Sequence, residues 1–367
     1  MVNDEMNDYS LEQLEEESLY ADDYQEVPPP EIVAYNELRS CADLFRMHVQ
    51  GILEIQPDFQ RDIVWRSPDQ TRFVDSLIKQ LPIPSMCFAL DHHAQKWIVI
   101  DGLQRISTIV RFLEGGDWKL SKLDDIEPDI AGKSVAAIKT SDTKLHHYYT
   151  RVENLSIPVT VLRCDLRKKN HMEYLFTIFH RLNTGGMKLN NQEIRNCIYG
   201  GAFNHLLKEL DKNKAWRRLN KMKSGQSYRF TKQEIMLRFF AFVDKHKQYE
   251  GHLAKFLNDY MHDNQKASEE WINNKRTLFT ETVGFIDEAI FDKKAPPKLS
   301  ITMLEAILVG VGLNIPAVSN LTPEQAKARF QNLKDHEDFS ETALREGLSK
   351  KLRVIERLDA SAGIFGN

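Results

Sequence analysis

The rhythm of apolar positions changes near residue 170. Before it, short helical stripes alternate with short apolar runs. Residues 40–50 read as a short helix closed by Gly51, and Ile52, Leu53 and Ile55 then run into Gln56-Pro57. Ser67-Pro68-Asp69 joins a capping residue, a proline at the first helical position and an acid, so it starts a helix. Phe73, Leu77 and Ile78 carry that helix to Leu81, and Pro82 stops it. Two strands are predicted at 85–90 and 96–100, joined by a polar turn over 91–95. Gly102 opens a helix whose stripe is Ile106, Ile109, Val110 and Leu113, and Gly115-Gly116 end it. Residues 117–150 are polar and irregular, and 157–162 read as a strand. Beyond 170 the spacing is helical almost throughout, at 171–182, 190–198, 202–211, 231–245, 252–262, 268–290, 301–313, 322–333 and 340–358. The prediction is an α+β chain: a small mixed α/β domain at 38–166, then an all-helical domain at 167–367.

Charge adds a third part. Residues 1–38 hold 12 Asp or Glu and no Lys or Arg, which leaves 49 basic against 41 acidic residues, or +8, for the rest. Pro28-Pro29-Pro30 stiffens the end of this stretch, so 1–37 read as a disordered acidic leader, either a solubilising tail or a cover for a basic surface. Cys41, Cys87, Cys164 and Cys197 are scattered, with no C-x-x-C pair, which argues for buried free thiols rather than a zinc ribbon or disulfides. No apolar run has membrane-spanning length and the N-terminus lacks a signal-peptide pattern, so a cytoplasmic protein is expected.

The sharpest chemical feature is the strand-to-helix junction at Asp101-Gly102-Leu103-Gln104-Arg105, followed by Ser107 and Thr108. A helix N-terminus offers free N–H groups and a positive dipole end to an anion. Gly102 allows close approach, Arg105 can fork onto phosphate oxygens, and Gln104 can orient a water or read a base edge. Asp101 would repel phosphate unless it holds a divalent cation or a ribose hydroxyl. The competing account is structural: Asp101 as cap, Gly102 as turn, Gln104 and Arg105 as a solvated face.

Three further clusters stand out. Gln60 and Arg61 lie among Phe59, Trp65 and Arg66, just before a helix. Residues 179–196 include Asn183, Thr184, Gln192 and Arg195, which a capped helix alone does not explain. Between Lys212 and Lys232 there are eight Lys or Arg and no acid, with Trp216, Tyr228 and Phe230 interleaved. That run is the best nucleic-acid surface, with Lys214, Arg217, Arg218, Lys221, Lys223 and Arg229 as DNA contacts; a solvated helix face explains it equally.

The order Gln60-Arg61 ahead of Trp65, a helix, a hairpin, D-G-x-Q-R, then F-x-x-L-N-T-G-G and Q-E-I-R-N resembles the N-terminal domain of GmrSD-type restriction endonucleases, the domain of unknown function 262. Gln233 to Phe240 resembles that family's later E-x-x-L-R-F helix. The resemblance implies a ParB- and sulfiredoxin-like fold in the first domain, with a nucleotide bound or hydrolysed at the junction. Asp101, Gln104 and Arg105 would be catalytic. Gly102, Ser107, Thr108, Gln60, Arg61, Asn183, Thr184, Gln192 and Arg195 would bind the NTP, with Mg²⁺ as its ion. Leu103 departs from the family, where a second glutamine often stands, which weakens hydrolysis more than binding. No HNH-type motif follows residue 265, so the expected role is a DNA sensor or regulatory component of a phage-defence system, with a separately encoded nuclease as partner. The alternatives are a metal-dependent nuclease using Asp101 with Asp58 or Asp62, and a non-enzymatic DNA-binding adaptor. A homodimer through the helical half is a further expectation.

Overall fold

The computed structural model describes residues 29–55, 65–141, 143–182, 190–221, 231–297, 299–339 and 348–366. They form two compact units, one of Glu26–Leu189 and one whose described part begins at Asn190.

The first unit is built on a mixed sheet of β1 (Val33–Ser40), β2 (Leu53–Glu54), β3 (Met86–Asp91), β4 (Lys96–Asp101) and β5 (Ser156–Cys164), in the order β1-β5-β3-β4-β2. The central positions follow from the residues. β3 reads MCFALD and is buried along nearly its whole length, and β5 turns Ile157, Val159 and Val161 inward. β5 runs antiparallel to β1 and parallel to β3, and β3 forms the expected antiparallel hairpin with β4.

Helices α1 (Cys41–Val49), α2 (Ser67–Ile78), α3 (Leu103–Glu114), α4 (Val135–Lys139), α5 (His146–Asn154) and α6 (Lys169–Leu182) complete the unit. Ser40 caps α1, its hydroxyl accepting the Asp43 N–H at 3.1 Å. In α2, Ser67 is the first helical residue rather than the cap, and the Asp69 carboxylate accepts the Arg66 N–H at 3.1 Å. The stripe Ile106, Ile109, Val110 and Leu113 of α3 is buried as its spacing predicts, in one core with Phe88, Trp97, Val99, Val159 and Val161.

Three parts of this unit differ from the sequence reading. Strand β1 begins at Val33, inside the stretch expected to be a disordered leader through 37. It is an edge strand, exposed on both faces, and what orders it is a ladder to β5 from Val33 opposite Arg163 to Ser40 opposite Ser156. Residues 117–150, expected to be irregular, contain α4 and α5 and bury Leu120, Ile126, Ile130, Tyr148, Tyr149 and Val152. The unit also continues past 166, because α6 packs on β4.

The second unit contains α7 (Asn191–Ile198), α8 (Ala202–Leu210), α9 (Lys214–Leu219), α10 (Thr231–Lys245), α11 (Leu253–Asp263), α12 (Glu269–Phe285), α13 (Ile301–Leu313), α14 (Ile315–Val318), α15 (Pro323–Lys334) and α16 (Lys351–Gly366). No strand occurs among its described residues. The capping box of α7 forms as read: Asn190 accepts the Glu193 N–H at 2.8 Å and Glu193 accepts the Asn190 N–H at 2.6 Å. Helix α13 (ITMLEAILVGVGL) is apolar on nearly every face and buried from Thr302 to Gly312, so it is the centre against which α10, α12 and α16 pack. Gly310 permits the closest approach, since any side chain there would overlap Ser361 of α16.

Candidate functional site

The junction between β4 and α3 is shaped by Gly102. Its φ is +93°, a left-handed conformation, and a Cβ there would lie 2.6 Å from Cγ of the fully buried Met86. No side chain caps α3, and its first intrahelical bond runs from the Ile106 N–H to the Gly102 carbonyl at 2.9 Å. The N–H groups of the first turn therefore lack a side-chain acceptor of the kind that closes α1 and α7.

Around this turn the structure gathers Asp101, Gln104 and Arg105. Arg105 reaches back one turn and donates Nη2–H to Asp101 Oδ2 at 2.8 Å. It also donates Nη1–H to the carbonyls of Pro84 and Ser85, just ahead of β3. Gln104 Oε1 accepts the Trp65 N–H at 3.4 Å, which ties the start of α2 to the junction. Asp101 lies opposite Cys87 in the sheet. Burial, followed by the negative charge of Asp101, pushes the Cys87 thiol up to about 12. The four cysteines are free and buried, as their scatter predicts.

Ser107 and Thr108 lie in the second turn of α3. Both are buried, and Thr108 Oγ1 donates to the Gln104 carbonyl at 2.7 Å, the usual back-bond of a helical threonine. Gln192 and Arg195 belong to the helical unit and are buried in it, 1% and 0% exposed. Arg195 donates Nη1–H to Glu234 at 2.8 Å and Nε–H to Asn258 at 2.8 Å. Glu234 also accepts from Arg238 Nη2 at 2.6 Å. Asn196 connects Gln192 to Gln233. A guanidinium buried and paired in this way holds helices together, α7 to α10 and α11, and is not open to a ligand.

Of the basic run, Trp216 is fully buried and edge-on to Phe279, so it is core and not a stacking platform. Arg218 pairs with the buried Asp287, and Arg217 donates Nε–H to the Asp211 carbonyl at 3.0 Å. Lys214 and Lys221 are exposed. Gln60, Arg61, Asn183, Thr184, Lys223, Arg229, Asp58 and Asp62 lie outside the described residues.

Residues 41–200 match the family model of the GmrSD restriction endonuclease, N-terminal domain. Over that segment the chain is similar to the GmrSD N-terminal domain. The GmrSD N-terminal match takes in the sheet from β2 onward, the β4–α3 junction and the first helix of the second unit, α7. No curated protein and no solved structure matches the chain. No helix of the described residues is long and apolar enough to cross a membrane.

Two sets of partners, one in each unit, escaped the sequence reading. Pro84 and Ser85 hold Arg105 through main-chain carbonyls, which leave no trace in residue type. Glu234 and Asn258 partner Arg195 across 39 and 63 residues; the matching Q-E-I-R-N and E-x-x-L-R-F patterns were the available signal.

Proposed function

We propose that the GmrSD N-terminal domain of this chain binds a nucleotide at the β4–α3 junction, as a component of a restriction- or defence-type system acting on DNA. The observation that carries this reading is the Gly102-opened, side-chain-uncapped N-terminus of α3 with Asp101, Gln104 and Arg105 assembled beside it. Three N–H groups and a helix dipole favour an anion, and phosphate is the common biological one. Arg105 is the third residue of α3, in the same first turn as those N–H groups, and in this reading its guanidinium leaves Asp101 for a phosphate oxygen. The Asp101 carboxylate so released would take the Mg²⁺ that accompanies the NTP. Exposed Lys214 and Lys221 supply the DNA-facing charge in this reading.

Calorimetry with ATP, GTP, CTP and UTP in Mg²⁺ tests it, with wild type beside Arg105→Ala and released phosphate assayed in the same samples. Saturable binding by wild type that falls at least tenfold in the mutant is expected. Absence of binding by a folded wild-type protein rejects the site. The second reading is a non-enzymatic adaptor, favoured by the fact that Arg105 is already engaged by Asp101 and Pro84. Absence of nucleotide binding together with retained DNA binding would select it, whereas nucleotide binding without phosphate release would mark a sensor rather than an NTPase.

A further inference from the structure

β3 and β5 are parallel and in register, with Leu90 opposite Arg163 and Asp91 opposite Cys164, so they end together. The space beyond the carboxyl ends of adjacent parallel strands is where α/β sheets most often build sites. His92 and His93 follow β3 directly, and Asp165 follows β5 directly. The Asp101–Gly102 turn lies at the other end of the same strand, since Asp101 faces Cys87. At about 3.3 Å per residue, β3 separates the two places by roughly 15–20 Å.

One ligand-capable atom from each of His92, His93 and Asp165 lies within 4.8 Å of the others. Their orientations are fixed by neighbours. His92 Nδ1 is 2.6 Å from the Cys164 carbonyl. A carbonyl only accepts, so Nδ1 carries the proton and Nε2 keeps its lone pair, the arrangement usual for a metal-binding imidazole. The His93 N–H donates to Asp91 Oδ1 at 3.0 Å, which sets the turn. His93 Nε2 is 3.3 Å from Asp165 Oδ2. Asp165 is 4% exposed, and its Oδ1 accepts the Arg167 main-chain N–H at 3.0 Å and Nε–H at 2.9 Å. Arg167 Nη2 donates to Oδ2 at 3.0 Å. The Asp165 N–H donates to His171 Nδ1 at 3.0 Å, so His171 bears its proton on Nε2 and gives it to Glu31.

We propose that His92, His93 and Asp165 form a binding site for a transition-metal dication of the zinc class. Two imidazoles and one carboxylate are the ligand set such ions prefer, whereas Mg²⁺ and Ca²⁺ select oxygen. An ion about 2.0–2.1 Å from each tetrahedral ligand places the ligands roughly 3.3–3.4 Å apart. The His93–Asp165 separation already has that value. An ion pair between His93 and Asp165 would account for that one contact, but not for His92 anchored beside it with a bare ring nitrogen. Three protein ligands leave a fourth position for water or an anion, and the three residues line a pocket of about 520 Å³ together with Glu31, Arg163, Arg167 and Lys168.

The test uses the full chain, free of any affinity tag and stripped of metal, in equilibrium dialysis with Zn²⁺ and in Co²⁺ titration followed by visible absorption. One Zn²⁺ per chain is expected. His92→Ala and His93→Ala, both in the β3–β4 turn, should each weaken binding at least ~10-fold, the lower end of what loss of even a supporting contact costs at a metal site. His147→Ala, in the other adjacent histidine pair on α5, is the reference and should bind as wild type. Wild type without stoichiometric Zn²⁺, or a loss below tenfold in either turn variant, overturns the site.

Discussion

Glu234 holds two buried guanidiniums, and neutralising it is the most informative perturbation of the helical unit. Its carboxylate accepts from Arg195 at 2.8 Å and from Arg238 at 2.6 and 3.1 Å, with all three residues under 5% exposed. Glu234→Gln keeps the shape, but it turns an amide NH₂ toward guanidinium donors and leaves two buried cations short of one negative charge. Breaking a buried pair in this way costs about 3–5 kcal/mol. For a unit of this size each kcal/mol moves Tm by ~2–4 °C, so a fall of roughly 6–20 °C is expected. Glu305→Gln provides the internal control. Glu305 sits 3.5 Å from Arg238, and burial raises its carboxyl above the ordinary range although Arg238 and Arg357 pull it down. Its charge is therefore worth less, and about 1–2 kcal/mol is expected for its neutralisation. Scanning calorimetry measures both, with hydrogen exchange over α10 assigning the transition to the helical unit. A Glu305→Gln loss equal to or larger than that of Glu234→Gln would refute the reasoning.

Three further outcomes are expected. Gly102→Ala forces a side chain into a left-handed backbone and into Met86, and should cost about 2–4 kcal/mol in urea unfolding; a wild-type midpoint would refute the strain. Burial pushes the Cys41 thiol up to about 12, against about 8.5 in an unfolded chain. The folded state then holds the proton that the unfolded state releases, so the contribution is intact below about pH 8.5 and declines by ~1.4 kcal/mol per pH unit above it; the urea midpoint of Cys41→Ala should fall less steeply from pH 8 to 10 than that of wild type. Lys214→Ala and Lys221→Ala should each lower the salt slope of duplex DNA binding by about 1, whereas Arg218→Ala should leave that slope unchanged and reduce stability, because it strips the buried Asp287 of its partner.

What was legible in the sequence was whatever rests on local pattern. The stripe of α3, the capping box of α7, the β3–β4 hairpin and the helical second half all declare themselves through spacing and caps. β1 does not, because VAYNELRS has no apolar face and is ordered by main-chain bonds to a strand some 120 residues away. Helix α4 has only five residues, too few to show a period, and α5 (HHYYTRVEN) sets Tyr148, Tyr149 and Val152 among polar residues with no side-chain cap to mark its start. The same divide runs through the site. Asp101, Gly102, Gln104 and Arg105 stand in one short motif and come together in space. Arg195 shares a motif with Asn196, yet its partners Glu234 and Asn258 are set by tertiary packing. The meeting of Asp165 with His92 and His93 depends on the parallel register of β3 with β5, which no local pattern specifies.

The strand order has a consequence for how the chain is made. β5 lies between β1 and β3 in the sheet, but it is the last of the five to be synthesised. Until Cys164 has left the ribosome, only β2, β3 and β4 can pair, and β1 has nothing to bind. Folding of the first unit therefore waits on a single late strand whose arrival closes both a 120-residue and a 70-residue separation at once. Such non-local closure is slow and leaves strand edges open in the interval. A chain stalled before residue 156 would carry a three-stranded, half-covered sheet and an unpaired β1, and aggregation should begin there.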